Sequence, residues 1–129
     1  MGLTNVVYNA TLTWANPVLT DLEQQLLLPI FGESPIELGA TGHEEEILER
    51  LAEESRYPEL FEAAFVDQDE PLNWDNIVIA LASFVRTMIS GNAPFDQFVY
   101  QNNAEALSQS ARRGMELFFS ERLECHHCH

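Results

Sequence analysis

With 129 residues, 46% of them hydrophobic, the chain is long enough for one small domain with a packed core and too apolar to be disordered. Its formal charge of −15 sets 21 acidic residues against 6 basic ones, all of them arginine. Such a surface repels phosphate backbones, which excludes nucleic acid as a partner; it suits a basic docking partner or serves solubility alone.

No apolar run approaches the ~18 residues that would cross a bilayer, so no membrane span is expected. Residues 1–5 show neither a basic n-region nor an apolar h-region, so no signal peptide is read there. Residues 1–17 lack clear periodicity, and Asn16-Pro17 marks a turn. This stretch reads as extended or looped, with Trp14 among small polar neighbours, where packing at the edge of the next helix would account for it.

Thr20 is expected to cap a helix running to about Leu28, with Glu23 completing a capping box. Pro29, Gly32 and Pro35 then break the pattern, and residues 29–42 read as a loop. Glu33 and Glu37 in this loop are carboxylates that matter only if a pocket lies beside them. Thr41 or Gly42 opens a second helix with Glu44, Glu45 and Glu46 in its first turn, where the helix dipole favours negative charge. Ile47, Leu48 and Leu51 form its apolar stripe, and His43 reads as a surface residue. Pro58 fits the first turn of a third helix carrying Leu60, Phe61, Ala64 and Phe65. Residues 67–71 form an acidic loop without the spacing of an EF-hand.

The strongest periodicity covers 73–90: Trp74, Ile77, Val78, Leu81, Phe84, Val85, Met88 and Ile89 recur at helical spacing, with Gly91 placed to end the helix. Arg86 falls among these apolar residues, either snorkelling or paired with a partly buried anion. Pro94 starts a short helix holding Phe95, Phe98 and Val99, and residues 101–106 are polar. Ser108 caps a helix to about Ser120. Gly114 in its middle costs roughly 1 kcal/mol relative to Ala, which suggests close approach by a helix or a flat ring. No strand, repeat or linker is read, and the fold class is all-α.

The chain closes on Cys125-His126-His127-Cys128-His129, a C-x-x-C-H sequence. Two thiols at this spacing can form thioethers to the vinyl groups of a c-type haem, and the following histidine can ligate its iron. Two other readings stand beside it. Cys125 and Cys128 could form a redox disulfide, although no βαβ pattern accompanies them. They could also bind zinc with His126, His127 or His129, although five residues crowd a tetrahedral site. A c-type haem is attached outside the cytoplasm, so a periplasmic location is expected.

Several segments together resemble the bacterial di-haem cytochrome c peroxidase and MauG family. They are residues 80–96, with Arg86-Thr87 and Ser90-Gly91 leading to Pro94-Phe95-Asp96; Leu107-Ser108; residues 111–119; and the C-x-x-C-H itself. Residues 5–9, Trp14, Leu22-Glu23-Gln24-Gln25, Pro29-Ile30 and Glu37-Leu38-Gly39 extend the likeness over most of the chain. The resemblance implies an all-α fold: an incomplete cytochrome c-like helical domain with a loop-rich N-terminal interdomain segment. Residues 1–42 would be the end of a first haem region, and 43–129 the first part of a second haem domain, cut after the C-x-x-C-H. It also implies two haem c groups in the whole protein, one of them attached here through Cys125, Cys128 and the axial ligand His129, with Arg86 as a possible propionate contact.

By the same resemblance Trp14 relays electrons between the haems, and Glu37 and Gln25 belong to the peroxide pocket of the first haem. Calcium between the haems would take its ligands from outside this stretch. The implied oxidant is hydrogen peroxide, and the electron donor a small redox protein or a protein substrate. Residues 9–14 and 121–124 are similar to the MauG-like branch, whose members oxidise tryptophan in a partner protein. The chain is accordingly expected to be the middle of a longer periplasmic peroxidase or oxidase, inactive by itself. A mono-haem electron carrier and a zinc-binding helical module are the rival readings.

Overall fold

The computed structural model describes residues 2–13 and 16–128. It is helical, as expected, and among the described residues extended pairing is limited to two isolated bridges, Thr13 with Asn16 and Glu33 with Ile36. Two compact units divide after Ile89.

The first unit holds a 3-10 turn at Val6–Tyr8 and helices α1 (Leu22–Phe31), α2 (Glu44–Glu53), α3 (Arg56–Ala64) and α4 (Trp74–Arg86). Helix α1 starts one residue later than the sequence suggests. Asp21, not Thr20, is the N-cap, and its carboxylate accepts from the Gln24 amide at 3.0 Å. This shift takes Glu23 out of the expected capping box. Helix α1 also passes through Pro29 and ends only at Phe31. Pro29 lies so near the C-terminus that one missing amide donor interrupts little of the helix.

The four carbonyls that α1 leaves over are all satisfied by the chain that follows. Leu28 accepts from Gly32 at 2.8 Å, Pro29 from Leu38 at 2.9 Å and Ile30 from Ala40 at 3.0 Å, all through backbone amides. The Thr41 hydroxyl donates to Phe31 at 2.8 Å. Of the loop read over residues 29–42, the first three residues end the helix and the rest is a returning strap bonded to it.

Asn73 caps α4 by accepting from the Asn76 amide at 2.9 Å. The buried face of α4 is Val78, Ala82 and Val85, with Ala82 0% exposed. Leu81 and Phe84, expected in the same stripe, are 41% and 59% exposed. The sequence pattern merges two flanks of the helix, and only the flank with small Ala82 approaches α1 and the 3-10 turn closely. Val85 and Ala82 meet Val6, Leu12 and Leu22 in one cluster; Val78 meets Ile30 and Ala40 in another, with Trp74 and Phe31 packed against it.

Helix α4 stops at Arg86, short of the expected Ser90. The Thr87 hydroxyl turns back onto the Phe84 carbonyl at 2.7 Å. Met88 then gives its carbonyl to the Asn5 amide at 2.8 Å, so the chain leaves the helix to hold the N-terminal segment. Asn76, 2% exposed, is the buried polar residue of α4. Its amide donates at 2.7 Å to both Gln68 and the Pro71 carbonyl, which pins the acidic loop before the helix.

Arg86 pairs with the displaced Glu23 in a fork of 2.5 and 2.7 Å, which ties α4 to α1. The guanidinium holds the Glu23 carboxyl below the usual carboxylate range, and Glu23 in turn raises Arg86. A carboxyl whose folded pKa is lowered stabilises the fold above its unfolded pKa, and that contribution disappears as pH falls through the folded value. Both side chains are partly exposed, so the pair contributes under about 1 kcal/mol and salt weakens it. Replacing Glu23 with Gln is therefore expected to flatten the acid limb of stability, below about pH 4.5, in urea unfolding followed by circular dichroism. The loss should shrink in high salt.

The second unit holds α5 (Pro94–Tyr100), a 3-10 turn at Ala104–Ala106, α6 (Gln109–Phe118) and a 3-10 turn at Cys125–His127. Pro94 opens α5, while the Ala93 amide donates to Asp96 at 2.8 Å. Ser108 caps α6 by accepting from the Ala111 amide at 3.2 Å. The polar stretch 101–106 is ordered by Asn103, which caps the 3-10 turn, and by Arg112 of α6. Arg112 donates to the carbonyls of Leu107 and Ala104, and its guanidinium lies 5.1 Å over the Phe98 ring.

Candidate haem-attachment site

The site is built at the end of α6. The chain turns after Phe118: the amides of Leu123 and Glu124 donate to the Ser120 carbonyl at 3.2 and 2.9 Å. Glu124 takes the left-handed conformation (φ 50°), unusual for a residue with a side chain, and reverses the chain into the motif. Cys125–His127 then wind one 3-10 turn, closed by the Cys128 amide on the Cys125 carbonyl at 3.3 Å. Both cysteines are free, Cys125 half-buried and Cys128 exposed. The Cys125 thiol makes one weak contact, to the Leu123 carbonyl at 3.6 Å.

An open apolar hollow is lined in this unit by Phe95, Gly114, Met115, Phe118 and Phe119. Phe119 joins hollow and motif: its ring stacks on Phe95 at 6.5 Å, meets Phe118 edge-on at 5.1 Å and lies 5.8 Å from the His126 ring. A Cβ placed on Gly114 would meet nothing within 4 Å. The glycine therefore serves no close contact among the described residues of this unit, and a side chain there would stand in the hollow.

The other site residues expected from the sequence are spread over the first unit. Gln25 is half-buried on α1, and Glu37 is exposed on the returning strap. The anion paired with Arg86 is Glu23, and a haem propionate would have to compete with that fork. Trp14 and His129 lie outside the described residues. Arg112 escaped the sequence reading because its targets are main-chain carbonyls, which carry no side-chain signature.

The family model described as di-haem cytochrome c peroxidase matches residues 1–104. This chain belongs to that family. The match ends before α6 and the C-x-x-C-H. Among curated relatives, the methylamine utilization protein MauG of Methylophilus methylotrophus is 34% identical over 97% of this chain, and that of Methylorubrum extorquens is 30% identical over 97%. Cytochrome c551 peroxidase of Pseudomonas aeruginosa is 26% identical, also over 97%. A solved MauG-like protein associated with microbial copper homeostasis superposes with a TM-score of 0.77 at 38% identity, over 98% of this chain and 36% of that one. The chain spans about a third of the length of the curated relatives it matches, 35% and 33% of the two MauG proteins.

The family implies haem c, and the residues present fit it. The donor set is two free thiols three positions apart on one turn. Beside it lies an apolar hollow that a glycine keeps clear and aromatic rings border. An aromatic wall left clear at Gly114 is what a flat porphyrin edge needs, since ring contacts replace water without losing hydrogen bonds.

Proposed function

We propose that this chain is the part of a periplasmic di-haem c-type peroxidase or oxidase that carries the second, electron-transfer haem and the relay leading to it. The observation that carries the reading is the attachment turn, with its two free thiols and its link through Phe119 to a clear aromatic hollow. In this reading residues 1–42 close the first haem region and residues 43–129 open the second haem domain.

The residues have separate tasks. Cys125 and Cys128 would hold haem c as thioethers through their Sγ atoms, and the His129 imidazole would ligate its iron. Bound there, haem c supplies one-electron redox chemistry. Phe95, Phe118 and Phe119 exclude water from its edge. The Trp14 indole passes electrons along the relay. Glu37, with Gln25 beside the peroxide, takes a proton from hydrogen peroxide on a carboxylate oxygen and delivers it to the departing oxygen. Calcium belongs to the whole protein, with ligands from outside this stretch.

The higher identity to the two MauG proteins than to cytochrome c551 peroxidase favours a protein substrate as the electron donor over a small redox protein.

The test is covalent haem content. The whole protein is expressed with periplasmic haem maturation, denatured and stained for haem on a gel, beside the double variant Cys125→Ala, Cys128→Ala. The variant should lose one of two covalent haems. Equal haem in both proteins overturns the assignment.

A further inference from the structure

The reversal at Glu124 brings together three side chains that haem attachment does not use. Ligand atoms of Glu121, His126 and His127 all lie within 4.8 Å of one another. Glu121 and His127 are exposed and His126 is half-buried. The two imidazole rings meet edge to face, with centroids 4.2 Å apart. The Nδ1 of His126 is buried and takes no hydrogen bond from the described residues. A buried ring nitrogen without a partner is costly, and a cation bound at that nitrogen would supply one.

We propose that Glu121, His126 and His127 form a binding site for a divalent transition cation of the zinc–copper class, separate from the haem. The two imidazoles are borderline donors and the carboxylate is a hard one. They suit zinc, nickel or copper and disfavour magnesium and calcium, which prefer oxygen alone. Bonds of about 2.0–2.2 Å place tetrahedral ligand atoms about 3.3–3.6 Å apart. Closing from 4.8 Å is within reach of rotation of the exposed Glu121 and His127 side chains towards the half-buried His126 ring. Three protein ligands leave a coordination position open for water or a further ligand. The site goes beyond the haem reading and does not depend on it, because its donors are neither the cysteines nor His129.

The experiment uses the whole untagged protein with its haems attached, so that Cys125 and Cys128 are blocked as thioethers. Should haem prove absent, the thiols are alkylated instead. Equilibrium dialysis against Zn(II), and separately Cu(II), is read by mass spectrometry of the metal, with excess Mg(II) present. One equivalent should be retained, with Cu(II) held more tightly than Zn(II). Glu121→Gln, His126→Gln and His127→Gln should each weaken retention at least about tenfold, which is about 1.4 kcal/mol. Glu45→Gln, on the solvated first turn of α2, should leave it unchanged. Circular dichroism verifies folding of each variant, and the exposed Glu121 and His127 keep the test decisive if His126→Gln fails to fold. Retention that Mg(II) abolishes, that the three substitutions leave unchanged, or that never reaches one equivalent overturns the site.

Discussion

Gly114→Leu is expected to leave the haem-free chain as stable as the original, or up to about 0.8 kcal/mol more stable, while cutting covalent haem incorporation about tenfold. The two effects have different origins. A glycine in mid-helix is disfavoured by about 1 kcal/mol against Ala, and Leu ranks close to Ala. A Cβ here finds nothing within 4 Å, and the hollow beside it is open, so the leucine has room in the haem-free chain. With haem the sign reverses, because the leucine occupies the hollow that Phe95, Met115, Phe118 and Phe119 border. Forcing extra methylenes into a filled site costs about 1–3 kcal/mol, or a factor of roughly 5 to 150. Thermal unfolding of the haem-free protein and haem staining of the matured one read the two halves separately. A destabilised haem-free variant would show that Gly114 serves apoprotein packing.

Gly32→Ala is expected to destabilise the first unit by about 1–3 kcal/mol and to loosen the strap that carries Glu37. The reason is steric. The added Cβ would stand 2.4 Å from the Leu28 carbonyl oxygen, which the Gly32 amide already bonds at 2.8 Å. The obstacle is backbone, so the chain must move, and the bonds of Leu38 to Pro29 and Ala40 to Ile30 move with it. Hydrogen exchange at the Leu38 and Ala40 amides should quicken more than at Val85 in α4. Gly91→Ala is the control, because nothing lies within 4 Å of its added Cβ. Equal effects of the two substitutions would refute the steric account.

The helical class and most helix starts were readable because caps and period-3.6 patterns are local. Ser108 caps as expected, and Pro94 opens α5. What was not readable depends on contacts distant in sequence. The continuation of α1 past Pro29 relies on carbonyl partners 4 to 10 residues downstream, among them Thr41 on Phe31. The early stop of α4 reflects Met88 being claimed by Asn5. The split stripe of α4 follows from which flank meets α1, and periodicity alone cannot choose it.

The candidate site divides the same way. The two cysteines and the aromatic pair Phe118-Phe119 stand out in the sequence. The clear space at Gly114, the work of Arg112 and the meeting of Glu121 with His126 and His127 needed the folded chain.

The bond between the Asn5 amide and the Met88 carbonyl joins the two extremities of the first unit. Val6, from the first turn made, is buried in the same cluster as Ala82 and Val85, from the last helix made. Closing so long a loop carries an entropy cost that only the finished cluster repays. During synthesis, then, Val6, Leu12 and Leu22 emerge well before α4 and must wait for it before they are covered. A holdase would find its target in this waiting segment, and a ribosome stalled before residue 82 would present a chain whose core cannot yet close.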